Sequence, residues 1–258
     1  MSVLFEIEDG IANVTINRPE RMNAVDPATE TELERIWAQI EADDAIRCVV
    51  LTGAGERAFS AGADMKSDSG KSGLEYWASL NPNGFGGIAM RQSLNVPVIA
   101  RVNGLALGGG MEMVLGCDIV IASQTARFGL PEAKVGRLPL DGGMVMLQRL
   151  IPEKIAAGLM LTGRMMSAQD AAAYGLVNAV VTAEKLDEEV QSWAQDIASC
   201  APLSIKAIKA TIRKTGHLTP HEARALSIPE LITALESEDA KEGVTAFREK
   251  RAPQWRGC

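Results

Sequence analysis

The sequence is poor in the side chains on which most enzyme chemistry rests. Its 258 residues include only 2 His and 4 Cys. Both histidines fall in HLTPH, His217 to His221, where Pro220 interrupts the pair. HExxH is absent, so a histidine-built zinc site is excluded. GxSxG is missing as well, which removes the serine nucleophile of a strand–turn–helix elbow. Cys48, Cys117, Cys200 and Cys258 form no CxxC pair. The first three lie in apolar or alanine-rich stretches and are expected to be buried free thiols in a reducing compartment. No apolar run reaches the roughly 18 residues that a membrane span needs. MSVLFEIEDG enters strand-like alternation at once, without signal- or transit-peptide features. An excess of positive charge is lacking too: 26 Lys and Arg face 33 Asp and Glu, for a net charge of −7. That balance argues against nucleic acid or anionic lipid as the main partner. The expectation is a soluble, cytoplasmic protein with no metal and no membrane, whose chemistry does not use histidine.

What is present is enough for a full core. With 47% hydrophobic and 23% charged residues, the chain needs no disulfide or metal staple, and it is not disordered. Its length fits one large domain, or one domain with a small appendage. Val3–Glu8 and Ile11–Ile16 alternate around Asp9-Gly10, a hairpin signal. Asp26 and Pro27 are placed as N-cap and first residue of a helix carrying Leu33, Ile36, Trp37 and Ile40. Cys48–Thr52, Val96–Val102 and Asp118–Ala122 are short apolar strands alternating with helical segments, which predicts a parallel α/β core. Residues 66–87 are Ser- and Gly-rich and are expected to form a mobile loop or a poorly capped helix over a cleft. From Ala201 onward only helical patterns remain. Among them, Ile205–Lys214 is the one local basic run and has the spacing of an amphipathic interface helix.

The chemistry concentrates around glycine and glutamate. Gly108, Gly109 and Gly110 precede a helix start, where free backbone N–H groups and the helix dipole favour negative charge. Neither GxxxxGK[ST] nor GxGxxG occurs, so a phosphate cradle is not indicated. An oxyanion hole remains, and it needs two convergent N–H donors. The Ala61-Gly62-Ala63 turn is the candidate source of the second. Tight helix–strand packing explains the glycines equally well from physics alone. Glu112 sits among Met111, Met113, Val114 and Leu115, and Glu132 follows Leu130-Pro131; both settings are apolar for a carboxylate. Burial raises a carboxyl pKa toward the working range of an acid or base.

Three segments in order, FSAGADM at 59–65, NGLALGGGMEM at 103–113 and FGLPEAKVGRLPLDGG at 128–143, resemble the crotonase (enoyl-CoA hydratase/isomerase) superfamily. RPERMNAV, LTGRMMSAQDAAAYGLVN at 161–178 and AFREKRAPQWRG extend the likeness over nearly the whole chain. The resemblance implies an α/β, crotonase-like ββα spiral core over residues 1–200, carrying an acyl-CoA site. A C-terminal helical trimerisation region over 201–258 would complete it, as a homotrimer or dimer of trimers. By the same likeness, the N–H groups of Ala63 and Gly109 would bind the thioester oxygen. Glu112 and Glu132 would add water, syn, across the α,β double bond. Arg21, Ala24, Ala61, Asp64 and Met65 would lie along the CoA path, with Pro131, Pro139, Leu140 and Asp141 in the substrate pocket. No permanently bound cofactor is implied, because coenzyme A arrives as part of the substrate.

One position departs from the pattern: where hydratases usually carry Gly after Pro139, this chain has Leu140, then Asp141. LPEAKVGRLP, DGG and the terminal WRG are similar to the carnitinyl-CoA dehydratase branch, whose trimethylammonium substrate would want an acidic or aromatic partner such as Asp141 or the Trp77 loop. A Δ3,Δ2-enoyl-CoA isomerase would need only one carboxylate. A non-catalytic acyl-CoA binder or an RNA-binding homologue are the alternatives of another class, and the net charge disfavours the latter.

Overall fold

The computed structural model describes residues 1–67 and 70–258. The hairpin forms as its sequence predicts: β1 (Val3–Glu8) and β2 (Ile11–Ile16) pair antiparallel through Asp9 and Gly10, both at positive φ. Helix α1 (Pro27–Ala42) is capped by Asp26, whose carboxylate accepts the Thr29 N–H at 2.8 Å. Its stripe of Leu33, Ile36, Trp37 and Ile40 is fully buried.

The chain then repeats one manoeuvre three times. It runs β3 (Cys48–Gly53) and then β4 (Ala58–Ser60); β5 (Val98–Val102) and then β6 (Leu105–Leu107); β7 (Ile119–Ser123) and then β8 (Arg127–Gly129). The first strand of each pair joins one sheet and the second joins another, and helical segments return the chain to the start. β9 (Met166–Ser167) and β10 (Ala179–Val181) complete the sheets, in orders β1-β2-β3-β5-β7-β10 and β4-β6-β8-β9. Apart from β1 with β2 and β8 with β9, every strand pairing among the described residues is parallel. This is a ββα spiral. Apolar side chains of both sheets and α1 form the main core, and a smaller cluster lies between the large sheet and the helix Leu186–Ser199. From Pro202 the chain continues as helices, the first of them Pro202–Thr215.

Three expectations need correction. The 66–87 stretch contains helix α2 (Gly73–Ala78), and it is well capped: Ser72 and Glu75 bond each other's backbone N–H in a capping box. Positions 68 and 69 of that stretch lie outside the described residues. Cys200 is exposed rather than buried. It follows the helix whose buried stripe is Leu186, Val190 and Ala194, and falls off that stripe. Cys117 is only partly buried. Among the described residues no helix is long and apolar enough to cross a membrane.

Candidate active site

Strands β4, β6 and β8 are parallel neighbours, so their carboxyl ends lie along one edge of the small sheet. The segments that leave those ends carry, in order, Ala63, Gly109 and Glu132. Their convergence is a consequence of topology.

Ala63 forms a parallel bridge with Val25. Val25 donates its N–H to Gly62 O at 2.8 Å, and Asp64 donates to Val25 O at 2.9 Å. The alternation of a bridge turns the N–H of Ala63 itself the other way, and it has no hydrogen bond among the described residues. Gly109 is the first residue of α3 (Gly109–Gly116), so its N–H has no partner within the helix. The two donors are brought together at Gly62, which holds φ +84°; a β-carbon there would stand 2.8 Å from Gly109 N and 2.8 Å from Leu107 O. Only glycine fits. A β-carbon on Gly109 would lie 2.6 Å from the Phe85 ring, so that ring seats directly on the bare backbone. The result is a pair of free N–H groups, closed by Phe85 at Gly109 and open to solvent at the exposed Ala63.

Glu112, in the first turn of α3, is 3% exposed. Its Oε1 accepts the N–H of Gly143, first residue of α4 (Gly143–Leu150), at 2.8 Å. Burial pushes its carboxyl up to about 8; the Gly143 N–H opposes this, and the charges of Asp141 and Glu132 reinforce it. Glu132 opens a short 3₁₀ turn, Glu132–Val135. Its Oε1 lies 3.1 Å from where a β-carbon on Gly108 would stand, beside the free donors. Its Oε2 is buried without a partner among the described residues. A buried acceptor left unpaired is costly unless a ligand or water supplies a donor. Burial raises the Glu132 carboxyl as well.

Of the pocket residues anticipated from the sequence, Pro131 directly precedes Glu132, and Pro139 and Asp141 lie in the turn that reaches Glu112. Pro139 is buried, Pro131 and Leu140 are half-buried, and Asp141 is 6% exposed. The N–H that reaches Glu112 belongs to Gly143, three positions beyond Leu140. Asp141 accepts a hydrogen bond from the Tyr76 hydroxyl at 2.5 Å, which opposes the upward push of burial on its carboxyl. Burial also raises Glu30 on α1, with the Asp141 charge adding to it. Tyr76, Glu30 and Gly143 were not singled out from the sequence, and nothing in their local pattern marks them.

On the other side, Arg21 and Met65 are exposed, Ala61 is half-buried and Ala24 is buried. Asp64 turns inward. Arg18 binds Asp26 and Asp64, each at 2.9 Å, and donates to Ala24 O at 2.5 Å. Burial tends to raise Asp64, but the Lys66 N–H and Arg18 prevail and hold it below the ordinary carboxylate range. Arg18, also missed from the sequence, therefore fastens the 21–24 loop to the 61–65 segment. Among the described residues no group of three or more His, Cys, Asp or Glu side chains is placed to hold a metal ion.

The raised Glu112 carboxyl has a stability consequence. Its folded pKa of about 8 exceeds the ordinary 4.5, so its contribution is full below the latter and is lost as pH rises through the former. Glu112→Gln keeps an oxygen for the Gly143 N–H and removes the charge. It is expected to unfold at a higher temperature than the parent at pH 9, with little difference at pH 5. Equal differences at both values in thermal melts would contradict this.

The family model described as enoyl-CoA hydratase/isomerase matches residues 6–258. (E)-Benzylidenesuccinyl-CoA hydratase of Thauera aromatica is 43% identical over 259 residues, covering 100% of both chains. Carnitinyl-CoA dehydratase of Escherichia coli K12 is 39% identical over 251 residues, covering 96% of this chain and 95% of that protein. Among solved structures, an enoyl-CoA hydratase from Mycobacterium tuberculosis H37Rv superposes with TM-score 0.91 at 34% identity, over 100% of this chain and 99% of that one. An enoyl-CoA hydratase from Bacillus anthracis gives TM-score 0.91 at 34% identity over 100% of both chains.

Proposed function

The chain belongs to the enoyl-CoA hydratase/isomerase family, and from that premise we propose that it adds water to a 2-enoyl-CoA thioester, or removes it in reverse. The observation that carries this reading is the convergence, at one sheet edge, of two free N–H groups and two carboxyls whose pKa burial raises. The thioester oxygen accepts from the Ala63 and Gly109 N–H groups. Glu132, the more open carboxylate, takes a proton from water as the hydroxyl oxygen bonds to the β-carbon. The double-bond electrons move onto the thioester as an enolate, which the two donors stabilise. Glu112, protonated at neutral pH by its burial, delivers its proton to the α-carbon on the same face. Dehydration exchanges the two roles. Coenzyme A lies along the Arg21–Ala24 and Ala61–Met65 segments, and no resident cofactor takes part. Exposed Ile212, Leu235 and Phe247 on the C-terminal helices support assembly of several copies through that region.

The test is to supply crotonyl-CoA and follow loss of the conjugated thioester absorbance together with gain of one water by mass. A double-bond shift in a 3-enoyl-CoA without hydration would turn the assignment to an isomerase, which needs a single carboxylate.

A second observation favours a narrower substrate. Among the described residues, Glu30, Glu132 and Asp141 enter none of the ion pairs with Lys or Arg. Carboxyls left without a counter-ion beside the proposed site favour an acyl group carrying positive charge and disfavour one carrying a further carboxylate. Crotonobetainyl-CoA is therefore expected to exceed a carboxylate-bearing enoyl-CoA of similar size by about tenfold or more in kcat/KM, as a difference of about 1.4 kcal/mol implies. The reverse order in a substrate panel would discard this narrower assignment.

A further inference from the structure

Helix α2 is only lightly attached. None of its residues is buried, and Leu74 and Trp77 are 72% and 59% exposed. Its capping box is internal to the segment. Among the described residues, the side-chain hydrogen bond that leaves α2 for a distant part of the chain is the one from Tyr76 to Asp141, across 65 positions. Two residues beyond Asp141, the Gly143 N–H holds Glu112 at 2.8 Å. A hydroxyl, a carboxylate and one turn of backbone thus connect the outer helix to the deepest carboxylate of the site.

We propose that Tyr76 and Asp141 are positioning residues for water addition: their hydrogen bond ties α2 to the turn that grips Glu112 and keeps a second negative charge beside that carboxylate. The proposal rests on the reading of Glu112 as the proton donor. The groups facing Glu112 are the Gly143 and Asp141 N–H groups, which lower its carboxyl, and the charges of Asp141 and Glu132, which raise it, while Glu30 of α1 and Tyr76 of α2 face Asp141 and Tyr76 also feels Glu112. With the phenol gone, Asp141 loses its donor and shifts toward its neutral form. The charge beside Glu112 then fades, and Glu112 releases its proton at lower pH. Asp141→Asn acts in the same direction by removing the charge outright.

The experiment compares the parent with Tyr76→Phe and Asp141→Asn by two readouts. One is the pH profile of kcat/KM for crotonyl-CoA. The other needs no turnover: the pH midpoint of the Glu112 carboxyl band in infrared difference spectra, assigned by its loss in Glu112→Gln. Asp141→Asn is expected to move the basic limb and the band midpoint down by about 1 pH unit, the size of effect a lost neighbouring charge gives, and Tyr76→Phe to move both in the same direction by less. Turnover at pH 9 should fall about tenfold in Asp141→Asn and less in Tyr76→Phe, with KM changed less than twofold in either. Tyr76 is half-buried on a lightly packed helix, so Tyr76→Phe carries the test even if Asp141→Asn does not fold. A uniform loss of rate at every pH with an unmoved midpoint would mean a merely structural role and overturn the proposal. If the parent hydrates no 2-enoyl-CoA, the functional reading fails by itself. The band midpoint still decides the coupling in that case: a downward shift supports it, and an unmoved midpoint overturns it.

Discussion

Replacing Glu132 with Gln is expected to lower kcat for hydration of a short 2-enoyl-CoA by about 10³-fold, within the range of a lost general base. The replacement is close to isosteric, so the 3₁₀ turn at Glu132–Val135 and the contact with Gly108 should persist. What disappears is the ability to accept a proton at Oε2, the buried oxygen without a protein partner. The effect should therefore fall on kcat, with KM moving only a few-fold, because the loops proposed to lie along the CoA path, Arg21–Ala24 and Ala61–Met65, are untouched. Glu112→Gln should lose a similar factor for the opposite reason, since the proton to be delivered is no longer there. The two losses should not multiply. Carboxylates that act on one water as a unit leave little more to lose once either is gone, so the double variant should be about as slow as the slower single one. Stopped-flow or long-time absorbance assays on the three variants decide it. Hydration at the parent rate by Glu132→Gln would remove the two-carboxylate mechanism, and fully multiplicative losses would mean that the residues work independently.

How much of this was legible in the sequence depended on the range of the interactions involved. The hairpin at Asp9-Gly10, the Asp26 cap and strands β1, β2, β3, β5 and β7 of the large sheet rest on neighbours a few residues apart, and their patterns name them directly, whereas β10 was not anticipated. The small sheet was illegible as a sheet. AFS, LAL and RFG are three-residue strands, too short to show a period, and only their register with one another makes them strands. Yet that sheet is what places the site. Glu112 and Glu132 stood out because each is a carboxylate in an apolar run, an oddity visible locally. Tyr76, Glu30 and Gly143 look ordinary where they stand. Tyr76 gains its role from Asp141, 65 positions away, and Gly143 from Glu112, 31 positions away. Arg18 likewise takes its role from a distant partner, Asp64, 46 positions away. The misplaced burial of Cys200 has the same origin: an alanine-rich context fixes composition, while the angular position on a helix decides which face is wet.

Gly62→Ala is the sharper probe of the oxyanion site, because a backbone N–H cannot be deleted by changing its own side chain. At φ +84° the added β-carbon is strained in any surroundings, at a cost of order 1–2 kcal/mol. Here it also meets Gly109 N and Leu107 O, both at 2.8 Å. Both contacts are backbone, so neither can swing aside as a flexible side chain would. Relief requires the Ala61–Asp64 segment to move away from the start of α3, and that motion separates the Ala63 and Gly109 donors. A displaced donor is nearly equivalent to a lost one, and losing one costs about 10²–10³ in kcat. Strain and displacement can be told apart with Gly175→Ala. Gly175 holds nearly the same conformation, φ +85°, with nothing within 4 Å of where its β-carbon would stand. The expected result is a fall in unfolding temperature in both variants, larger in Gly62→Ala because of the two backbone contacts, with a hundredfold or greater loss of kcat only in Gly62→Ala. KM should stay near the parent value in Gly175→Ala and rise in Gly62→Ala, because the Ala61–Asp64 segment that shifts is also proposed to lie along the CoA path. Should Gly62→Ala hydrate crotonyl-CoA as fast as Gly175→Ala, the two N–H groups are not where the thioester charge develops, and the carbonyl must be bound elsewhere on the small-sheet edge.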